Sequence, residues 1–278
     1  MRYKTPRDLL IGITVVLADG TIASSGGKVV KNVAGYDLGK LFAGSQGTLG
    51  VIAEAAFRLH PEPRAARYVT ATCATAVAAL ARVRAAIESQ LTPSAAEVDR
   101  PAPGAPLSVA LLLEGSQEAI PERVTRMRDI LGPDAQAGPA PPSWWGGSPA
   151  VADGTLLRIA FPAGALALVL DAVDQAGTEL NPVVRGSAGA GVIEAGLDAA
   201  APPDAVATFV ADLRRHLAVA PAWGDVGAGS VTVVHAPDEV RRAVDMWGPV
   251  PALGLMRAVK DQFDPGHVMS PGRFAGGI

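Results

Sequence analysis

Apolar positions along this chain alternate between two periods, and the changes of period divide it into strands and helices. Leu9 to Leu17 is a nearly continuous apolar run that reads as a strand. Asp19-Gly20 after it is a residue pair typical of tight hairpin turns, with Thr21 to Ala23 returning. Asp37 stands where it can cap a helix beginning at Leu38, whose Leu38, Leu41 and Phe42 share a face, and Gly44 follows at the position of a left-handed C-terminal cap. Gly47 and Gly50 flank Thr48 as a second turn. From Val51 the period becomes two: Val51, Ala53, Ala55, Phe57 and Leu59 lie on one face, Glu54 and Arg58 on the other, as in a half-buried strand. Pro61 and Pro63 then end the strand and stiffen an exit linker.

Beyond residue 64 strands and amphipathic helices alternate. Tyr68 to Cys73 is a strand, and Thr75 can cap a helix with Val77, Leu80, Val83 and Ile87 inward. Leu107 to Leu113 is a strand, and Ile120, Val124, Met127 and Leu131 mark the next helix. Residues 132–150, GPDAQAGPAPPSWWGGSPA, are too rich in Pro and Gly for regular structure. The alternation resumes with a strand at Thr155 to Phe161, a helix around Leu166, Val169, Leu170 and Val173, and a strand at Val192 to Leu197. The cleanest helical stripe follows, Val206, Phe209, Val210, Leu213 and Leu217; Ser230 to His235 is the last strand and Ala236 to Met246 a polar-faced helix. Leu253 to Asp264 predicts a terminal helix with Leu255, Met256, Val259 and Phe263 inward, ended by Pro265. Two strand–helix–strand–helix runs around a connector predict an antiparallel sheet backed by helices, similar to a duplicated ferredoxin-like unit.

Composition changes this picture little but excludes several functions. A formal charge of −3 without clustered Lys and Arg argues against a nucleic-acid partner. The apolar helix candidate GALALVLDAV from Gly164 is too short to span a bilayer and is interrupted by Asp171, so no direct membrane insertion is expected. MRYKTPRDLL lacks the apolar core of a signal peptide, and the single Cys73 excludes an intrachain disulfide framework. A cytoplasmic location is the expectation. His60, His216, His235 and His267 are too scattered for a ligand motif, so no metal site is expected. Trp144-Trp145 in the connector fits either a gating or docking element or, preferentially, a staple that folds the loop back onto its domain.

Glycine lets a backbone turn sharply and bring its N–H groups close to a flat or phosphorylated ligand. Spacing alone equally fits a plain helix–turn–strand corner. The full string is more specific: KNVAGYDLGKLFAGSQGTLGVIAE, Lys31 to Glu54, resembles the segment KNVxGYDLxxLxxGSxGTLGVIxE of FAD-linked oxidases with the p-cresol methylhydroxylase (PCMH, or vanillyl-alcohol oxidase) type of flavin domain. Within that family it is most similar to the FAD-binding subunits of bacterial glycolate oxidases. Arg7 and Asp8 match the start of the family's RDLxxGxxVVxADG run, and FDPGHVMSPGRF, Phe263 to Phe274, resembles its closing FDPxxxxNPGR motif, with Ser270 where many relatives have asparagine.

The resemblance implies an α+β fold: the C-terminal lobe of a PCMH-type FAD-binding domain at 1–64, a ferredoxin-like α/β cap domain with an antiparallel sheet at 65–246, its connector at 132–150, and a return segment to the flavin domain at 247–278. It implies FAD as cofactor, contacted by Asn32, Gly35, Tyr36, Ser45, Gln46, Gly47, Thr48, Leu49, Gly50, Val51 and Ile52. Arg273 would offer a planar cation to an anionic flavin edge or a carboxylate, with Asp264 and Pro271-Gly272 shaping its turn. In the family a first lobe with a glycine-rich pyrophosphate loop precedes this run. GSAGAG at Gly186 to Gly191 leads toward a strand and is no substitute for it, so an N-terminally truncated flavin domain is expected. The implied reaction is oxidation of a small 2-hydroxy acid, glycolate to glyoxylate, by hydride transfer to FAD. The implied partners are a sister flavoprotein subunit and an iron–sulfur electron-transfer subunit, through which the chain could meet a membrane. No catalytic base is nominated. Two alternatives stand beside this: another FAD-linked 2-hydroxy-acid dehydrogenase of the D-lactate type, and a cofactor-free fragment or assembly subunit.

Overall fold

The computed structural model describes residues 1–28, 36–219 and 229–278. In chain order the elements are α1 (Pro6–Leu9), β1 (Leu10–Val16), β2 (Ile22–Gly26), α2 (Gly39–Phe42), β3 (Val51–Phe57), β4 (Ala65–Cys73), α3 (Ala76–Glu88), β5 (Ala95–Arg100), β6 (Leu107–Gly115), α4 (Ile120–Leu131), β7 (Gln136–Gly138), β8 (Thr155–Ala160), α5 (Leu166–Ala176), β9 (Val183–Ser187), β10 (Val192–Leu197), α6 (Pro203–Val219), β11 (Ser230–His235), α7 (Asp238–Ala243) and α8 (Leu253–Phe263). They fall into two compact units, Tyr3–Glu62 with Pro249–Ile278, and Met1–Arg2 with Pro63–Gly248.

The smaller unit is a three-stranded antiparallel sheet, order β2-β1-β3. Asp19 and Gly20 make the expected hairpin, with Val16 opposite Ile22 and the Asp19 carboxylate accepting from the Thr21 N–H at 2.9 Å. One element has no counterpart in the apolar pattern. Thr5 and Asp8 form a reciprocal capping box around the short helix α1, each side chain accepting the other's backbone N–H, with Pro6 in the first turn. Two expectations here are corrected. Asp37 does not cap α2, which starts at Gly39 without a side-chain cap; its carboxylate instead lies 3.5 Å from the Lys40 ammonium, and of the expected face only Phe42 is buried. Strand β3 forms where predicted, but it is exposed along nearly its whole length rather than half-buried. A small core of Ile13, Val15, Phe42 and Leu49 sits in this unit, and Phe263 of α8 meets Phe42 edge-on at 5.4 Å.

The larger unit is one eight-stranded antiparallel sheet, order β11-β8-β10-β9-β5-β6-β4-β7. Its first half, β4-α3-β5-β6-α4-β7, and its second, β8-α5-β9-β10-α6-β11, are each a βαββαβ unit with the same strand order. The halves join where β5 pairs with β9. The duplicated ferredoxin-like unit expected from the alternation is therefore present. Three strands were not legible in that pattern. β5 carries charged residues on both faces, β9 is short, and β7 lies inside the connector, where three residues pair with β4. The rest of the connector is pinned to the sheet: Trp145 packs edge-on against Tyr68 at 5.1 Å, and Ser148 donates to Glu194 at 2.7 Å. The tryptophan thus acts as the staple rather than as a free docking group.

Side-chain burial follows the helical stripes unevenly. Val206, Phe209, Val210, Leu213 and Leu217 of α6 are all buried, as are Ile120, Met127 and Leu131 of α4. In α3 the stripe is shifted: Val77 is 66% exposed, and Ala79, Val83 and Ala86 face the core. The expected cap is in place, Thr75 Oγ1 accepting from the Ala78 N–H at 3.1 Å. Thr75→Ala should therefore cost about 1 kcal/mol, read as a lower urea midpoint at unchanged slope.

Candidate functional site

Of the site residues implied by the resemblance, Ser45 to Ile52 lie together in the smaller unit, in the turn after α2 and the start of β3. Gly44, with φ of 93°, ends the helix, and the Ser45 N–H bonds the Phe42 carbonyl at 3.1 Å. Gln46 and Gly47 then both take positive φ, 57° and 79°, and the Thr48 N–H closes the turn on the Ser45 carbonyl at 3.1 Å. Two positive central residues are the dihedral signature of a type I′ turn, which glycine enters without the steric cost of a Cβ. Thr48 Oγ1 donates to that same Ser45 carbonyl at 2.7 Å, so the inner side of the turn is saturated.

Other N–H groups of the turn are not so engaged. None of the loop hydrogen bonds among the described residues uses the N–H of Gln46, Gly47, Leu49 or Gly50. Both glycines are also tightly approached. A Cβ at Gly47 would stand 3.2 Å from Ser270 Oγ, and one at Gly50 would stand 2.9 Å from the Val16 carbonyl and 3.2 Å from the Phe42 ring. N–H donors on a glycine turn that no bond within the chain engages can receive an anionic or carbonyl-bearing ligand. Next to it, Val51 and Ile52 open β3 with 56% and 43% of their surface exposed. The residues present therefore fit a flat ligand with hydrogen-bond acceptors along one edge.

Behind the turn lies a group that the sequence pattern did not single out. Lys260 of α8 is 1% exposed, and its Nζ donates to the Thr48 carbonyl at 2.7 Å, the Met269 carbonyl at 2.8 Å and Asp264 Oδ2 at 2.5 Å. All three donors of the ammonium are thereby used. Asp264 is fully buried and also accepts the N–H groups of Val268 and Met269 at 3.1 and 2.8 Å. Burial pushes its carboxyl up, but the Lys260 hydrogen bond, the two backbone N–H groups and the lysine charge outweigh that and hold it at about 2. The inward set expected for α8 is corrected accordingly. Leu255 is exposed, Met256, Val259 and Phe263 are half-buried, and the one fully buried side chain of the helix is the lysine. A lysine four residues before an aspartate at a helix end was the available signal.

The remaining site residues are placed as follows. Ser45, Thr48, Leu49 and Gly50 are buried in or beside the turn, and Gln46 is exposed. Tyr36 is almost wholly exposed, and Asn32 and Gly35 lie outside the described residues. Arg273 is exposed, its N–H bonding the Ser270 carbonyl at 3.3 Å, and its guanidinium has no ion-pair partner among the described residues. A mostly apolar cavity of about 300 Å³ adjoins the turn, lined by Ser45, Thr48, Leu49, Met256, Val259 and Phe274 among others. The His60 ring lies tilted against Tyr3 with centroids 5.0 Å apart, and His267 lies 3.1 Å from the Asp261 carboxylate. No cluster of three or more metal-ligating side chains occurs among the described residues, and no helix among them is long and apolar enough to cross a membrane.

Comparison with known proteins gives the chain its relatives. No protein-family model matches it. It is 42% identical over 102 residues to glycolate oxidase subunit GlcD of Bacillus subtilis, a stretch covering 36% of this chain and 22% of that protein. It is 47% identical over 64 residues to a D-lactate dehydrogenase of Archaeoglobus fulgidus, covering 23% of this chain and 14% of that one. The match thus spans about a fifth or less of these curated relatives. In fold, 98% of the chain superposes on 66% of the 4-ethylphenol oxidase from Gulosibacter chungangensis, with a TM-score of 0.65 at 14% identity. The sequence relatives are thus named for glycolate oxidase and D-lactate dehydrogenase, and the fold is shared with an oxidase.

Proposed function

We propose that this chain is part of an FAD-binding subunit of a glycolate-oxidase-like complex, which oxidises a 2-hydroxy acid to the corresponding 2-oxo acid. The observation that carries the reading is the turn at Ser45–Gly50. No loop hydrogen bond among the described residues uses the N–H groups of Gln46, Gly47, Leu49 or Gly50, a Cβ on Gly47 or Gly50 would crowd its neighbours, and the turn lies inside the string that resembles flavin-linked oxidases. The relatives named for glycolate oxidase and D-lactate dehydrogenase support the substrate class.

In this proposal Gln46, Gly47, Leu49 and Gly50 hold FAD through backbone N–H groups, Val51 and Ile52 give it an apolar surface, and Tyr36, Asn32 and Gly35 belong to the approach before the turn. Arg273 is the cation available to a flavin edge or to the substrate carboxylate, since no acidic side chain among the described residues neutralises it. Bound FAD supplies the acceptor for the hydride leaving C2 of the hydroxy acid. Residues 65–246 are assigned as the cap/substrate domain, and 247–278 as the segment returning to the flavin domain. The partners of such a subunit are a sister flavoprotein and an iron–sulfur protein that takes the electrons onward.

The deciding experiment is spectroscopic. The purified chain is expected either to carry a visible flavin absorbance band or to gain one, with quenched flavin fluorescence, when FAD is added. A chain that is folded by circular dichroism yet neither carries nor takes up flavin would leave the cofactor-free assembly subunit as the correct reading. Among 2-hydroxy acids, glycolate is expected to bleach the bound flavin faster than D-lactate; the reverse order would assign the D-lactate type instead.

A further inference from the structure

We propose that Lys260, paired with Asp264, is a positioning residue that sets the flavin-binding turn by drawing the Thr48 carbonyl inward. The proposal rests on the flavin reading above and deepens it, because it assigns the conformation of the turn to a side chain more than two hundred residues away in sequence.

A peptide group has two ends. Fixing the Thr48 carbonyl on a buried ammonium fixes the plane of the Thr48–Leu49 peptide, and with it the direction of the Leu49 N–H, which in a trans peptide points opposite to that carbonyl and is used by no loop hydrogen bond among the described residues. The same ammonium holds the Met269 carbonyl, and Asp264 holds the N–H groups of Val268 and Met269. Ser270 is thereby set beside Gly47, where a Cβ on that glycine would stand 3.2 Å from its hydroxyl.

Three non-glycine residues around this junction, Gln46, His267 and Ser270, have positive φ of 57°, 50° and 41°. Such dihedrals persist when the surroundings over-determine them. Lys260 and Asp264 are the buried charged pair in position to do so. An ordinary structural ion pair differs in one respect: replacing both charges by apolar groups of similar volume is often neutral or stabilising. Apolar groups cannot hold a carbonyl, so the doubly apolar variant separates a positioning role from a merely structural one.

The test uses the full chain as wild type, Lys260→Met with Asp264→Leu, and Lys260→Arg. Three quantities are measured: the urea midpoint, the FAD dissociation constant by flavin fluorescence, and hydrogen exchange of the amides at 46–50. The double variant is expected to fold, to bind FAD at least about tenfold more weakly, and to exchange those amides at least about tenfold faster. Lys260→Arg retains the charge, but a planar fork cannot converge on two carbonyls and one carboxylate as an ammonium does. It covers the case in which the double variant does not fold, and the same losses are expected. Variants that fold, bind FAD within about twofold of wild type and keep its exchange pattern would overturn the proposal. If wild type takes up no FAD, the functional reading fails by itself, and hydrogen exchange alone decides the positioning role: faster exchange at 46–50 supports it, and unchanged exchange overturns it.

Discussion

Gly47→Val is expected to lower FAD affinity by about thirtyfold or more, while the protein remains folded. Gly47 sits at a φ of 79°, and a left-handed conformation costs an L-residue roughly 1–2 kcal/mol, with a β-branched side chain at the upper end. That strain can be relieved only by turning the backbone, which redirects the N–H groups of Gln46 and Gly47 away from the ligand, and 2 kcal/mol corresponds to about thirtyfold in a dissociation constant. Apart from its chain neighbours, the Ser270 hydroxyl is the one neighbour a Cβ would meet among the described residues, so the substitution does not force the core apart. Gly50→Val is the useful contrast. Its Cβ would press on the Val16 carbonyl and the Phe42 ring, so FAD affinity and the urea midpoint should fall together. Isothermal or fluorescence titration beside urea unfolding distinguishes the two patterns. Undiminished FAD affinity in both folded variants would show the turn to be only a corner between α2 and β3.

Asp264→Ala is expected to destabilise the smaller unit by about 3–5 kcal/mol, the range for removing one partner of a buried ion pair. The substitution leaves the Lys260 ammonium, 1% exposed, without its counter-charge, and it leaves the N–H groups of Val268 and Met269 without their acceptor. The pair also predicts a pH dependence whose sign follows from the depressed carboxyl. Asp264 is held at about 2 in the folded chain against 3.8 for the ordinary carboxyl. Its stabilisation is therefore fully present above the unfolded value and is lost as pH falls through the folded one. Between about pH 4 and pH 2 wild type should lose this contribution progressively, whereas Asp264→Ala should show no such component. Urea midpoints measured across that interval decide it; parallel profiles for the two proteins would remove Asp264 from the explanation.

How much of this was legible in the sequence depended on what each side chain could announce. The α6 stripe was visible because its inward positions carry Val, Phe and Leu, which contrast with Asp, Arg and His between them. The α3 stripe was misphased because nearly half that helix is alanine. Periodicity in apolar character cannot tell a buried Ala79 or Ala86 from an exposed alanine, so Val77 was assigned inward by default. Strand β5, AAEVDR, was missed because both faces carry charge: Asp99 on one, and Arg100, buried against Asp174, on the other. For the candidate site, the glycine turn was legible through its residue string, but its support was not. Lysine reads as a surface residue, and only the fold shows that Lys260 ends in a pocket with three oxygen atoms waiting for it.

The junction of the two ferredoxin-like halves has a consequence for strand alignment. β5 and β9 meet over only three pairs, Val98 with Gly186, Asp99 with Arg185 and Arg100 with Val184. Hydrophobic contacts across so short a seam would accept more than one alignment. Charge removes that freedom. Asp99 bonds Arg185 at 2.7 Å on one side of the sheet, and Arg100 reaches Asp174 of α5, also at 2.7 Å, on the other. Sliding one strand by a single residue would turn Asp99 inward and Arg100 outward, stranding four charges at once. The seam therefore works as a keyed joint, in which two copies of one motif fit together in a single setting.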